Sequence, residues 1–160
     1  RYKMKRKLKK VGIALFLVLI AIQFYQPALN QNPGQDYTND FLVTTDAPTN
    51  ISKLIKTSCY DCHSNNTQYL WYDYIQPARM FVETHITDGK KELNFNEFGS
   101  YSNRKQQSEL EAISKQIKSG DMPLSSYTLL HHDAILNEAQ KQEIITWINS
   151  INENNSLSEN

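Results

Sequence analysis

The sequence predicts an all-α fold, and three observations predict it. Apolar residues recur at helical spacing in four segments. Those segments carry the capping and stop residues of helices, and the stretches of strand-like composition (Gln68–Tyr74, Leu93–Phe98) are short and interrupted by polar residues. The chain has 160 residues, which suits one domain of ordinary size plus extra segments. Basic and acidic residues number 17 each, for a formal charge of zero. The balance hides an asymmetry. Arg1, Lys3, Lys5, Arg6, Lys7, Lys9 and Lys10 open the chain without an acid among them, which leaves a net of −7 on the remainder. A basic tip on an acidic body is a targeting arrangement and argues against a nucleic-acid surface.

The first element is the uncharged run Val11–Tyr25 (VGIALFLVLIAIQFY). As a helix it rises about 22 Å, short of the roughly 30 Å hydrocarbon core, but Lys9 and Lys10 can snorkel and Gln26–Leu29 can sit in the interface. A cleaved signal peptide needs a small-residue A-x-A site, which Gln23-Phe24-Tyr25-Gln26-Pro27 lacks. A buried core helix fits poorly with a run that is apolar all round behind a cationic cluster. The expectation is therefore a single-pass anchor in the cytoplasmic membrane, with the basic tip inside and the rest in the periplasm. Residues 1–29 form the tip and transmembrane helix. Residues 30–48, rich in Asn, Asp, Thr and Pro, are expected to be a tether, with Phe41-Leu42-Val43 docking on the fold. Residues 49–151 are the folded domain, and the polar 152–160 (NENNSLSEN) a disordered tail.

Within the domain, Thr49 or Asn50 caps a helix bearing Ile51, Leu54 and Ile55 that runs toward two cysteines. Pro77 opens a second helix, with Met80, Phe81 and His85, closed near Gly89. A third runs from about Arg104 to Ser119 with Leu110, Ile113 and Ile117 on one stripe and Gly120 as its stop. Asn137 and Gln140 form a capping box for the last helix, which carries Ile144, Trp147, Ile148 and Ile151.

The only two cysteines lie in Cys59-Tyr60-Asp61-Cys62-His63, a C-x-x-C-H pentapeptide of the kind that attaches haem c. Cysteines at i and i+3 present both sulfurs from one face of a helical turn, where they can form thioethers to two vinyl groups. A histidine directly after the second cysteine lies beneath the porphyrin and can ligate iron. Such maturation happens outside the cytoplasmic membrane, in agreement with the topology expected from the N-terminus. Three other uses of these residues are weaker. A thioredoxin-like pair belongs in a βαβ unit, absent here, and a zinc site on Cys59, Cys62 and His63 needs a further ligand. A plain disulfide is the third use, in an oxidising compartment.

An electron-transferring iron needs a sixth ligand. Met122, in Gly120-Asp121-Met122-Pro123 after a helix stop, is the leading candidate, with His85, His131 and His132 as rivals. Tyr69, Trp71, Tyr72 and Tyr74 are expected to pack around the haem edge, with Trp71 or a tyrosine able to bond a propionate. Arg79 either pairs with a propionate or is solvated. His131-His132-Asp133 has no nucleophile near it and makes no catalytic pair.

The chain resembles the haem-binding domain family of small membrane-anchored, cytochrome-c-like proteins over roughly residues 40–151. The resemblance lies in Cys59–Ser64 (CYDCHS), Thr67–Pro77 (TQYLWYDYIQP), His85–Gly89 (HITDG), Leu93-Asn94-Phe95, Gly120–Pro123 (GDMP), Tyr127-Thr128 with His131 and Ala134, and Trp147. The junction Gln23-Phe24-Tyr25-Gln26-Pro27 also fits. Phe98 stands where the pattern tends to Trp, and His132 where Pro is usual. The resemblance implies a cytochrome-c-like helical fold around one covalent haem, with Cys59 and Cys62 bonded to it, His63 proximal and Met122 distal to the iron. The expected function is single-electron transfer between redox proteins of an electron-transport chain, without enzymatic turnover. The alternative is a haem-based sensor or peroxidase-like enzyme with an open sixth position and His85 or His131 as acid–base group.

Overall fold

The computed structural model describes residues 2–158, with side chains for 3–152; Arg1, Glu159 and Asn160 lie outside the described residues. All regular structure among them is helical. Eight α-helices follow in order: α1 (Tyr2–Ile22), α2 (Phe41–Thr44), α3 (Thr49–Ser58), α4 (Tyr60–His63), α5 (Ala78–Glu92), α6 (Asn103–Ser119), α7 (Ser125–Thr128) and α8 (Glu138–Ser158). Three 3₁₀ turns, Trp71–Tyr74, Phe95–Ser100 and His132–Ala134, lie between them. Two of these turns occupy the segments of strand-like composition.

The helix ends follow local chemistry. Ser102 caps α6 by accepting the Lys105 N–H, and Gly120 closes it at φ 78°, a left-handed conformation that costs glycine little. Asn137 and Gln140 exchange two side chain–backbone bonds of 2.9 Å, the reciprocal box that starts α8. With no Gly or Pro in NENNSLS to stop it, α8 continues to Ser158 through the segment expected to be disordered. The residue preceding α3 is Pro48, so neither Thr49 nor Asn50 is its cap. Gly89 does not end α5, which runs on to Glu92.

Helix α1 begins inside the basic cluster, and its uncharged part, Val11–Ile22, spans about 18 Å. No helix among the described residues is long and apolar enough to cross a membrane. Here the helix gives way to turns at Gln23 and Phe24. The Gln23 side chain is drawn to the domain: its amide donates to the Gln76 carbonyl (3.1 Å) and its oxygen accepts the Gln76 N–H (3.0 Å).

The core is one apolar cluster. Leu110 and Ile117 of α6 pack with Ile144 and Ile148 of α8, and Ile51 and Ile55 of α3 close it. Its centre includes Phe41, fully buried and in ring contact with Phe95 (5.0 Å), Phe98 (4.8 Å) and Trp147 (5.7 Å). Residues 30–48, expected as a tether, are bonded to the domain at both ends. Asn30 uses all its polar groups: its N–H donates to Tyr69 Oη, its carbonyl accepts the Thr67 N–H, its amide donates to Ser64 O and Thr67 Oγ1, and its side-chain oxygen accepts from Lys90. The buried Asp40 carboxylate accepts from Leu42 N, Tyr60 Oη and Asn96 Nδ2. Composition alone reads these Asn and Asp residues as loop formers, but their bonds here are long-range and tie the segment down.

Candidate functional site

The C-x-x-C-H segment is folded by a break in the helix. Cys59, at φ −131° and ψ −36°, ends α3 with its N–H on the Ile55 carbonyl. Its own carbonyl then accepts the N–H groups of Cys62 (3.2 Å) and His63 (3.0 Å), which starts α4. One turn thus carries both thiols and the imidazole, and all three line a single cavity of about 390 Å³, within the size range of small-molecule and cofactor sites. The rest of the wall includes Asp88 and Glu92 of α5, Glu109, Ile113 and Gln116 of α6, and Met122, Pro123 and Leu124 of the following loop. The lining is largely apolar.

Two contacts set the histidine. Its Nδ1 lies 3.0 Å from the Leu93 carbonyl. A carbonyl can only accept, so Nδ1 carries the hydrogen and Nε2 keeps a free lone pair, the arrangement of a ligand histidine. Burial holds the ring below the ordinary histidine pKa, outweighing the backbone carbonyls of Leu93 and Gly89, and so favours the neutral, ligating form. Gly89 is the second contact. A Cβ there would lie 3.0 Å from the Cys62 carbonyl and 3.4 Å from His63 Cε1. Glycine in mid-helix therefore lets α5 approach α4 closely enough to back the imidazole.

The thiols are unbridged. Burial, with Cys62 as a lesser influence, pushes Cys59 up to about 12, and burial, with Asp61 and Asp73 as lesser influences, pushes Cys62 up to about 11. Reactive dithiol pairs have lowered values, so these raised ones, with no βαβ unit among the described residues, argue against a thioredoxin-like centre. No group of three or more His, Cys, Asp and Glu among the described residues is placed to hold a metal ion, which leaves the zinc reading without a site. The donor set in the cavity fits a haem: two sulfurs on one turn, an imidazole Nε2 beside them, a thioether on the same cavity and a largely apolar lining.

Two tyrosines that sequence reasoning gave no role latch the turn. Tyr60 donates to the buried Asp40 (2.9 Å) and stacks on Phe95 at 5.0 Å, and Tyr127 donates to Asp61 Oδ2 (2.8 Å). Burial and the adjacent carboxylate drive both phenols far above their ordinary range, so both stay donors. Their partners lie 20 and 66 residues away in sequence, and nothing local signals the pairing.

The rival ligands separate. His85 lines the cavity, and its Nδ1, 2.8 Å from the Phe81 carbonyl, leaves its Nε2 free. His131 is bonded through Nε2 to Tyr72 Oη (2.6 Å), stacks on Tyr127 at 4.0 Å, and lines a smaller adjoining cavity of about 150 Å³. His132 is exposed and lines neither. Arg79 is neither solvated nor beside the cavity. It is buried, with its guanidinium donating to Gln26 Oε1 and the Pro27 carbonyl. Of the aromatic cluster, Trp71 is 76% and Tyr74 47% exposed, and none of its four members lines the 390 Å³ cavity; the Trp71–Tyr74 turn packs on α5, and its Tyr72 lines the smaller cavity together with Asp61 and Cys62 of α4.

No curated protein and no solved structure matches the chain. A family model described as a haem-binding domain matches residues 17–150. That span takes in α4, α5, α6 and every residue of the cavity wall, and the chain belongs to the haem-binding domain family.

Proposed function

We propose that the chain is a membrane-anchored monohaem c-type cytochrome that passes single electrons between redox proteins of an electron-transport chain. The observation that carries this is the convergence of Cys59, Cys62, His63 and Met122 on one cavity. When bound, the haem supplies an iron that gains and loses one electron. The chain's residues do the rest. Cys59 and Cys62 would hold the haem through thioether bonds, each thiol supplying the sulfur to one vinyl carbon and its hydrogen to the other. His63 Nε2, aimed by Leu93 and backed by Gly89, would ligate the iron, with Met122 on the same cavity as the second ligand. The largely apolar lining would keep water away from much of the group and so limit solvent reorganisation when the charge changes. Attachment to the cytoplasmic membrane is through α1 and the apolar residues after it, with the domain in the periplasm. The net −7 beyond residue 10 favours partners with a basic docking surface, so association slows as salt is added.

The test is an oxidised and reduced absorption spectrum of protein made in an exporting host with c-type maturation. Haem that survives acid-acetone extraction, with a methionine–iron charge-transfer band lost in Met122→Ala, is the expected result. Colourless protein overturns it. The free Nε2 of His85 on the same cavity favours one second reading, a sensor or peroxidase-like enzyme with an open sixth position and His85 as its acid–base group. Attached haem that lacks the methionine band and binds carbon monoxide would select that reading.

A further inference from the structure

The junction between α1 and the domain is a built joint. Gln23 and Gln76 exchange two bonds, Gln76 Nε2 donates to the Tyr25 carbonyl (2.6 Å), and Gln76 Oε1 accepts the Met80 N–H (3.1 Å). Beside them the buried Arg79 commits its guanidinium to Gln26 and Pro27. A flexible linker needs none of this. The joint ties residues 23–27, directly after α1, to the domain.

Around the joint lies a collar of large apolar side chains turned outward: Phe24 (84% exposed), Tyr25 (61%), Trp71 (76%), Tyr74 (47%), Ile75 (48%) and Met80 (51%). Single exposed apolar residues such as Val43 are ordinary, but exposed aromatic and aliphatic groups gathered on both segments of one joint mark an interaction surface. Their level along the chain identifies the cover. Phe24 and Tyr25 follow within three residues of Ile22, the last residue of α1, and Tyr74 and Ile75 directly precede Gln76, which is bonded to Gln23. If α1 enters a bilayer, the collar sits at headgroup depth. Trp and Tyr, with an apolar body and a polar tip, are the side chains enriched there.

We infer that this collar is a lipid-interface surface that seats the haem domain flat on the bilayer from which α1 emerges. The inference rests on the proposed membrane attachment of α1. It adds that the domain is not free to tumble on a tether and always presents the same side to water.

The test uses the full haem-loaded chain in vesicles of phosphatidylethanolamine and phosphatidylglycerol carrying a small fraction of a phospholipid with a photoactivatable diazirine near its headgroup. After irradiation, flotation and peptide mapping, lipid adducts are expected on Phe24–Tyr25 and on the 71–80 segment. Ile135, 54% exposed on the turn before α8, stays unlabelled as the control for exposure alone. The double variant Trp71→Ser, Ile75→Ser keeps the adducts on Phe24–Tyr25 and loses those on 71–80. Flotation with no label on 71–80 of the parent chain overturns the collar and leaves the anchor standing. A chain that fails to float overturns the anchor and the collar with it. Chain-to-chain crosslinks at 71–80 that rise with protein density, in place of lipid adducts, would assign the face to a second copy and overturn the inference.

Discussion

The two sides of the cavity are held by different physics. The α6 side is backed by α8 and α3, and its security is apolar area: Leu110, Ile117, Ile144 and Ile148 are at most 2% exposed. The α4 side is a single turn that buries little by itself and is held by point contacts, Tyr60 on Asp40, Tyr127 on Asp61 and His63 on Leu93. Area tolerates small displacements, whereas a hydrogen bond to a carboxylate is lost within an ångström. The side that fixes the iron ligand is thus positioned by contacts that are few, directional and distant in sequence. The side that closes the space needs only bulk.

The largest loss of stability should come from the apolar side. Ile144→Ala is expected to cost roughly 2–5 kcal/mol in urea titration while leaving the visible spectrum of the haem-loaded protein unchanged. A shifted spectrum in that variant would break the division. Asp40→Ala strips three donors of their acceptor. It should cost about 1–3 kcal/mol and also alter the ligand-field bands, since Tyr60 lies inside the C-x-x-C-H turn. Gly89→Val drives a branched side chain into the Cys62 carbonyl and the His63 ring. Its cost should be about 1–3 kcal/mol, with attached haem but a high-spin iron, read by absorption and magnetic resonance. Tyr127→Phe, which leaves Asp61 the Gln68 N–H as a donor, should cost about 1 kcal/mol and move the midpoint potential more than the stability.

The smallest effect is one of pH. Burial raises Asp73 above the ordinary carboxylate range, against the Leu70 N–H and His131, which pull it down. The folded chain therefore keeps this proton to higher pH than the unfolded chain. The resulting stabilisation is full below about pH 3.9, the unfolded value, and fades as pH rises through the raised folded value. Asp73→Asn removes that slope. Between pH 4 and pH 7 the variant should gain stability relative to the parent, and parallel pH profiles would exclude the assignment.

What is legible in the sequence follows the same division. The stripes and caps of α6 and α8 are local, so Leu110, Ile117, Gly120 and the Asn137–Gln140 box read directly from spacing. The C-x-x-C-H motif is local too, and the loop methionine stands out by its place between a helix stop and a proline. The latches are not legible, because Asp40 and Tyr127 acquire meaning only when distant chain is brought beside the turn. Gly89 misleads as a helix stop because a glycine that permits close helix approach looks the same in sequence as one that ends a helix. Arg79 reads as a surface or propionate-binding cation, since nothing local reveals a buried joint to Gln26 and Pro27.

Closure of the cavity has a consequence for the two thiols. In the folded chain burial raises Cys59 to about 12 and Cys62 to about 11, so neither ionises readily at neutral pH. In the unfolded chain both sit in water and ionise in the ordinary cysteine range. A thiol reagent added before the chain folds therefore meets more reactive sulfurs than one added afterwards, and the walls that enclose the site also shield it from later modification.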